Sequence, residues 1–223
     1  MLPAIDHFVA PACFEQIEIL LQDEFILLVN KPSGLLSLSG KNPLNKDSVH
    51  FRLVQQFPNA TLAHRLDFGT SGVMLLALGK SANANLTRQF QARTVRKTYM
   101  AVLDGHLGSD EGCIDASIAK DKLNFPLLKI CHDSGKQAIS HYRVLERLEN
   151  PLRSRVLFTP ETGRTHQLRL HSRAIGHPIL GCDLYGSGRT RALADRLLLH
   201  AASIEFDHPV SAKRMLLSCD CSF

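Results

Sequence analysis

Asp67 is the acid of the stretch His64-Arg65-Leu66-Asp67-Phe68-Gly69-Thr70-Ser71-Gly72, which feeds directly into the apolar run Val73-Met74-Leu75-Leu76-Ala77-Leu78. A loop residue held at the start of a buried strand is a common way to present a catalytic group. An ionised carboxylate there can act as a nucleophile. Aspartate in a turn also serves the turn itself, by bonding its own backbone, so position alone supports a site only weakly. Composition alone leaves a hydrolytic triad of Asp67 with His64 and Ser71 conceivable. Gly69-Thr70-Ser71-Gly72 lacks the G-x-S-x-G order of a nucleophile elbow. Gly79-Lys80-Ser81 looks like the end of a phosphate-binding loop, yet Met74 stands where that loop needs its first glycine. The six cysteines form no C-x-x-C pair, and His166 and His171 are five apart rather than four. These spacings predict reduced thiols and no metal site.

The elements that must position these residues follow from apolar patterning. Residues 1–24 read as an N-terminal arm with a short amphipathic piece. Phe25 to Asn30 is strand-like, and Lys31-Pro32-Ser33-Gly34 breaks it. A helix starts at Asp47 or Ser48 and stops before Pro58. Val73 to Leu78 is a second buried strand. Ser81 is a good N-cap for a helix over 82–92. Lys97 to Leu103 reads as a strand, with Tyr99 and Ala101 on the face opposite Met100 and Val102. Short strands follow, at Ala138 to Leu145 and Val156 to Phe158. A helix over 164–175 closes at Gly176, and it puts Thr165, Arg169 and Arg173 on one face. Leu197 to Phe206 and Met215 to Leu217 are the last strands. Strands with few helices between them predict an α+β fold, with a mixed, mostly antiparallel central sheet and flanking helices. No repeat or linker divides the chain, so one domain, with room for two lobes, is expected.

Composition fits that picture. The chain has 223 residues, 44% hydrophobic and 21% charged, long enough for its own core. It carries no apolar run of membrane-spanning length. Met1 to Asp6 shows no basic region followed by an apolar stretch, so a secretory signal is not expected. The net charge of +5 is unevenly spread. Residues 1–30 hold five acids and no Lys or Arg, whereas residues 151–200 hold eight Arg and three acids. Arginine suits phosphate because its planar fork donates two hydrogen bonds to two oxygens. Charge alone leaves nucleic-acid binding and a solvated basic face both open.

Taken together, several blocks resemble the RluA-type pseudouridine synthases. His64 to Gly72 fits that family's pattern H-R-L-D-x-x-T-S-G at every fixed position. Lys31-Pro32-Ser33-Gly34-Leu35, Lys97-Thr98-Tyr99, Thr162-Gly163-Arg164-Thr165-His166-Gln167-Leu168-Arg169-Leu170-His171, Gly176-His177-Pro178-Ile179 and Leu199-His200-Ala201 match further blocks in the family's order. One departure is clear. The family usually places Asp directly after the glycine at 181. Here Cys182 stands there, with Asp183 one place later and Tyr185 in its usual position.

The resemblance implies an isomerase that turns a uridine of ribosomal and/or transfer RNA into pseudouridine, with no cofactor and no metal. It implies Asp67 as the essential carboxylate, with Arg169 as its charge partner. Tyr99 would stack on the base, and Leu199 would form part of the apolar wall. Arg65, Arg164 and Arg173 would contact RNA. A base inside a stacked helix is out of reach, so the target must be flipped, and a loop or single-stranded uridine is favoured. Only about thirty residues precede the first matched block, too few for the S4-type RNA-binding module of larger members. The expectation is therefore a catalytic domain over 25–223, working as a cytoplasmic monomer off the membrane. Two rivals remain at this point: a catalytically inactive RNA-binding protein of the same fold, and an unrelated hydrolase.

Overall fold

A computed structural model describes residues 8–223; the N-terminal segment read above for a secretory signal lies outside the described residues. The chain forms two compact units. The first comprises residues 8–97 and His200–Ser222; the second comprises Thr98–Leu199 with Phe223.

In the first unit, β1 (Glu18–Gln22) pairs antiparallel with β2 (Ile26–Lys31), and β2 pairs antiparallel with β4 (Ser71–Leu78). A short β3 (Ala60–Leu62) adds to β4. β11 (Leu199–Asp207) runs parallel to β4 and carries the antiparallel β12 (Arg214–Ser218). Seven of the eight β4 residues are buried. That is why the sequence there is a continuous apolar run rather than an alternating one. Val73, Leu75 and Ala77 face Ala82 and Leu86 of helix α2 (Lys80–Gln91), with Ile26, Leu28 and Phe206 completing this core. Helix α1 (Val49–Leu53) begins at Ser48, whose hydroxyl accepts the Phe51 N–H at 3.1 Å.

The second unit is built on four antiparallel strands in the order β5 (Arg96–Asp104), β10 (Arg153–Pro160), β9 (Ile139–Leu148) and β6 (Glu111–Asp115). β7 (Ile118–Lys120) and β8 (Leu128–Ile130) form a separate hairpin. Helix α3 (Gln167–Ala174) lays Leu168 and Leu170 on a core containing Ala101, Leu103, Val156, Phe158, Ile179, Leu197 and Leu199. Helix α4 (Gly188–Ala192) is capped by Ser187. Within each unit the strand pairings are antiparallel apart from β4 with β11. The expected α+β class with a mixed, mostly antiparallel sheet is therefore the observed one.

Several local expectations shift. Helix α2 starts at Lys80 with Gly79 at its cap, so Ser81 lies in the first turn instead of capping it. Helix α3 starts at Gln167, after His166 in the left-handed region (φ 55°), so Thr165 lies outside the helix. β1 falls within the stretch read as an arm. Its Ile19 is 40% exposed at a sheet edge, which left too weak an alternation to see.

Candidate active site

The Asp67 turn is held from below by the segment that follows β2. Ser37 Oγ donates to Leu66 O at 2.7 Å and accepts the Leu66 N–H at 3.1 Å, as a paired strand would. The Gly34 N–H donates to Phe68 O at 3.0 Å, and Ser33 Oγ donates to Gly69 O at 2.7 Å. Lys31 has no exposed surface; its ammonium donates to Pro32 O at 2.8 Å and to Phe68 O at 3.2 Å. The Thr70 N–H closes the turn on Asp67 O at 3.1 Å. Backbone on both sides of Asp67 is thereby fixed, and Asp67 is half-buried.

The glycine ending this stretch has a steric cause. Gly72 sits at φ +111°, and a Cβ added there would fall on the carbonyl of Ala201 in β11. Ser71 beside it bonds His200 Nδ1 at 2.8 Å, and His200 Nε2 lies 3.2 Å from Cys219 Sγ. His64 is turned to a different task. Its Nε2 accepts the Leu75 N–H at 3.0 Å, and its ring lies on Phe90 with centroids 5.1 Å apart. Burial, reinforced by the nearby Lys97 ammonium, lowers its pKa to about 3. A neutral imidazole committed to a strand amide is no general base for a hydrolase. Ser71 is likewise bonded to His200 rather than to His64.

In the second unit, Arg169 is 4% exposed on α3. The helix start is pinned by Gln167, whose amide nitrogen donates to Ile139 O at 3.0 Å and to Ser140 Oγ at 2.9 Å. Its oxygen accepts from Thr162 Oγ at 2.8 Å and from the Arg164 N–H at 2.9 Å. This explains why the block reads Thr-x-x-x-x-Gln-x-Arg: Thr162 and Gln167 lock the turn from which Arg169 projects. The guanidinium donates through Nε to Cys182 Sγ at 3.3 Å and through Nη2 to Asp183 Oδ1, and it lies 5.3 Å from the Tyr185 ring centroid.

Tyr99 is half-buried on β5, opposite Phe158, and packs against the core that contains Leu199. Arg65 and Arg173 are exposed. Arg164 is partly covered and gives its Nε–H to Gln137 O at 3.0 Å. Asp67 and Arg65 thus belong to the first unit, and Tyr99, Arg164, Arg169, Arg173 and Leu199 to the second. Lys31, Ser37, Gln167 and Asp183 were not singled out as site residues from sequence. Lys31 and Gln167 stood there only as members of matched blocks and Asp183 as a shifted acid, while Ser37 was an ordinary polar residue. Among the described residues no group of His, Cys, Asp and Glu could hold a metal ion.

Comparison with known proteins assigns the family. The RNA pseudouridylate synthase family model matches residues 25–174. The Yersinia pestis protein named dual-specificity RNA pseudouridine synthase RluA is 46% identical over 205 residues, spanning 92% of this chain and 99% of that protein. The Escherichia coli K12 protein of the same name is 44% identical over 92% of this chain and 93% of its own length. Among solved structures, human RNA pseudouridylate synthase domain containing 1 superposes with a TM-score of 0.80 at 30% identity, covering 94% of this chain and 85% of that one. Human RNA pseudouridylate synthase domain containing 4 shares the fold, with a TM-score of 0.75 at 24% identity over 92% of this chain and 88% of its own. With the signature loop built as described and an RluA protein matched over nearly its whole length, this chain belongs to the RluA-type RNA pseudouridine synthases, isomerases that make pseudouridine in RNA.

Proposed function

We propose that Asp67 is the essential carboxylate of this isomerase and that Arg169 is its charge partner. The reaction leaves the formula unchanged. The N1–C1′ bond of uridine breaks, the uracil turns, and C5 bonds to C1′. C5 gives up a proton and N1 gains one. No redox or energy-carrying cofactor is required for that balance. Asp67 acts as an ionised group, either by attacking the nucleotide or by assisting departure of the base. A closed pocket next to phosphates favours the neutral acid, and a fixed guanidinium offsets this. Tyr99 stacks on the uracil and Leu199 forms part of the apolar wall. Arg65, Arg164 and Arg173 contact the RNA beside the flipped nucleotide.

The observation that carries this reading is the Asp67 turn. Four carbonyls and amides around one half-buried aspartate are tied to residues 31–37, an investment in position that a turn alone does not need. The substrates proposed are loop or single-stranded uridines of ribosomal and/or transfer RNA; relatives named dual-specificity synthases support more than one RNA target. The working unit is a cytoplasmic monomer, with residues 25–223 as its catalytic domain. Incubating the purified protein with unmodified ribosomal and transfer RNA, and mapping pseudouridine chemically, tests the substrate assignment. Defined modified positions in either class are expected. Modification confined to some other RNA class would refute it.

A further inference from the structure

Arg169 is nearly buried, so its guanidinium needs acceptors from the protein. The 181–185 loop supplies three partners. Cys182 Sγ takes the Nε–H, Asp183 Oδ1 takes an Nη2–H, and the Tyr185 ring covers the face. The loop is itself anchored. The Gly181 N–H donates to Thr190 O at 2.9 Å, the Tyr185 hydroxyl accepts the Leu128 N–H at 3.0 Å, and that hydroxyl bonds His166 Nδ1 at 2.7 Å. A thiol is a weak acceptor, so of these three loop partners Asp183 is the one that brings a negative charge to the guanidinium. The family's usual order has its aspartate at the position of Cys182.

We infer that Asp183 is a positioning residue for Arg169: it replaces, from one place further along the chain, the carboxylate that position 182 lacks. Cys182 Sγ already lies within hydrogen-bonding distance of Nε. A carboxylate at 182 would meet the same edge of the guanidinium, through its Nε–H. The inference rests on the proposed role of Arg169. The competing explanation is local, because Asp183 Oδ1 also accepts the Leu184 N–H at 2.9 Å and so supports its own turn.

The test compares Asp183→Ala, Asp183→Asn and the double variant Cys182→Asp/Asp183→Ala with Arg169→Ala. Single-turnover rate at saturating RNA and RNA affinity are both measured. Asp183→Ala should slow the single-turnover rate by about 10- to 1000-fold, the scale expected of a mispositioned reacting group, with affinity changed only a few-fold. Asp183→Asn keeps an acceptor for the Leu184 N–H while removing the charge; it should also be slow, and it serves if the alanine variant does not fold. The double variant should recover most of the rate, since the carboxylate has only moved. A slow Asp183→Ala that the double variant fails to rescue, together with a wild-type rate in Asp183→Asn, would assign the residue to its turn. Wild-type rates in both single variants beside a slow Arg169→Ala would overturn the positioning role and leave the reading of Arg169 standing. A wild-type rate in Arg169→Ala would overturn that reading itself.

Discussion

His64 illustrates how a signature residue acts without touching chemistry. It joins the Asp67 turn to β4 by accepting the Leu75 N–H, and it is held neutral down to about pH 3. In the unfolded chain a histidine titrates near 6.5. Between those values the unfolded state binds the extra proton, so stability is complete above about 6.5 and falls as pH drops toward 3. The slope approaches about 1.4 kcal/mol per pH unit within that window. His64→Gln keeps an acceptor for the Leu75 N–H without the titration. Denaturant melts between pH 3 and 7 should show a flatter acid limb in the variant. An identical slope would mean that His64 protonates freely in the folded protein.

At the scale of elements, the Asp67 turn depends on the segment that follows β2. Ser37→Ala removes both hydrogen bonds to Leu66, leaving a buried N–H and C=O unpaired. The expected cost is about 1 to 3 kcal/mol, with a slower single-turnover rate because the backbone next to Asp67 is loosened. Equilibrium unfolding and rapid-quench kinetics measure the two effects, and an unchanged midpoint and rate would show that Ser37 does not hold the turn. The central strands were legible because burial on both faces demands unbroken apolar runs, as in Ile26–Lys31 and Ser71–Leu78. β1 was not, because an edge strand with exposed Ile19 has little apolar periodicity to show. Helix α4 was missed for a similar reason: Gly188-Arg189-Thr190-Arg191-Ala192 buries only Thr190. In the site, Asp67 and Arg169 were legible through the motif that contains them. Ser37 was not, and Asp183 showed only as a shifted acid, since a side chain that bonds distant backbone or a guanidinium leaves no local spacing behind.

Over the whole molecule, the eight arginines of residues 151–200 divide between two tasks. Arg155 pairs with Glu146 at 3.4 Å, Arg189 with Asp104 at 3.2 Å, and Arg169 with Asp183, so part of the charge is internal. Arg173 and Arg191 are exposed. Affinity for RNA should fall steeply with salt, by about 0.7 in log–log slope for each phosphate neutralised on a single strand. Arg173→Ala should reduce that slope by about 0.7 and leave the rate at saturating RNA near wild type. Filter binding across a salt series reads both, and salt-independent affinity would make the basic half a solvated face. Among the described residues no helix is long and apolar enough to cross a membrane.

The proposed isomerisation turns on the carboxylate of Asp67. It is the acid of a loop whose backbone is tied down on both sides, and asparagine preserves its size while removing the charge that the proposed reaction needs. The most direct measurement is pseudouridine formed per enzyme in a single turnover, wild type against Asp67→Asn, with RNA binding followed in parallel. The variant should bind RNA with near wild-type affinity and form no detectable pseudouridine. Substantial turnover by Asp67→Asn would contradict an essential role for this carboxylate.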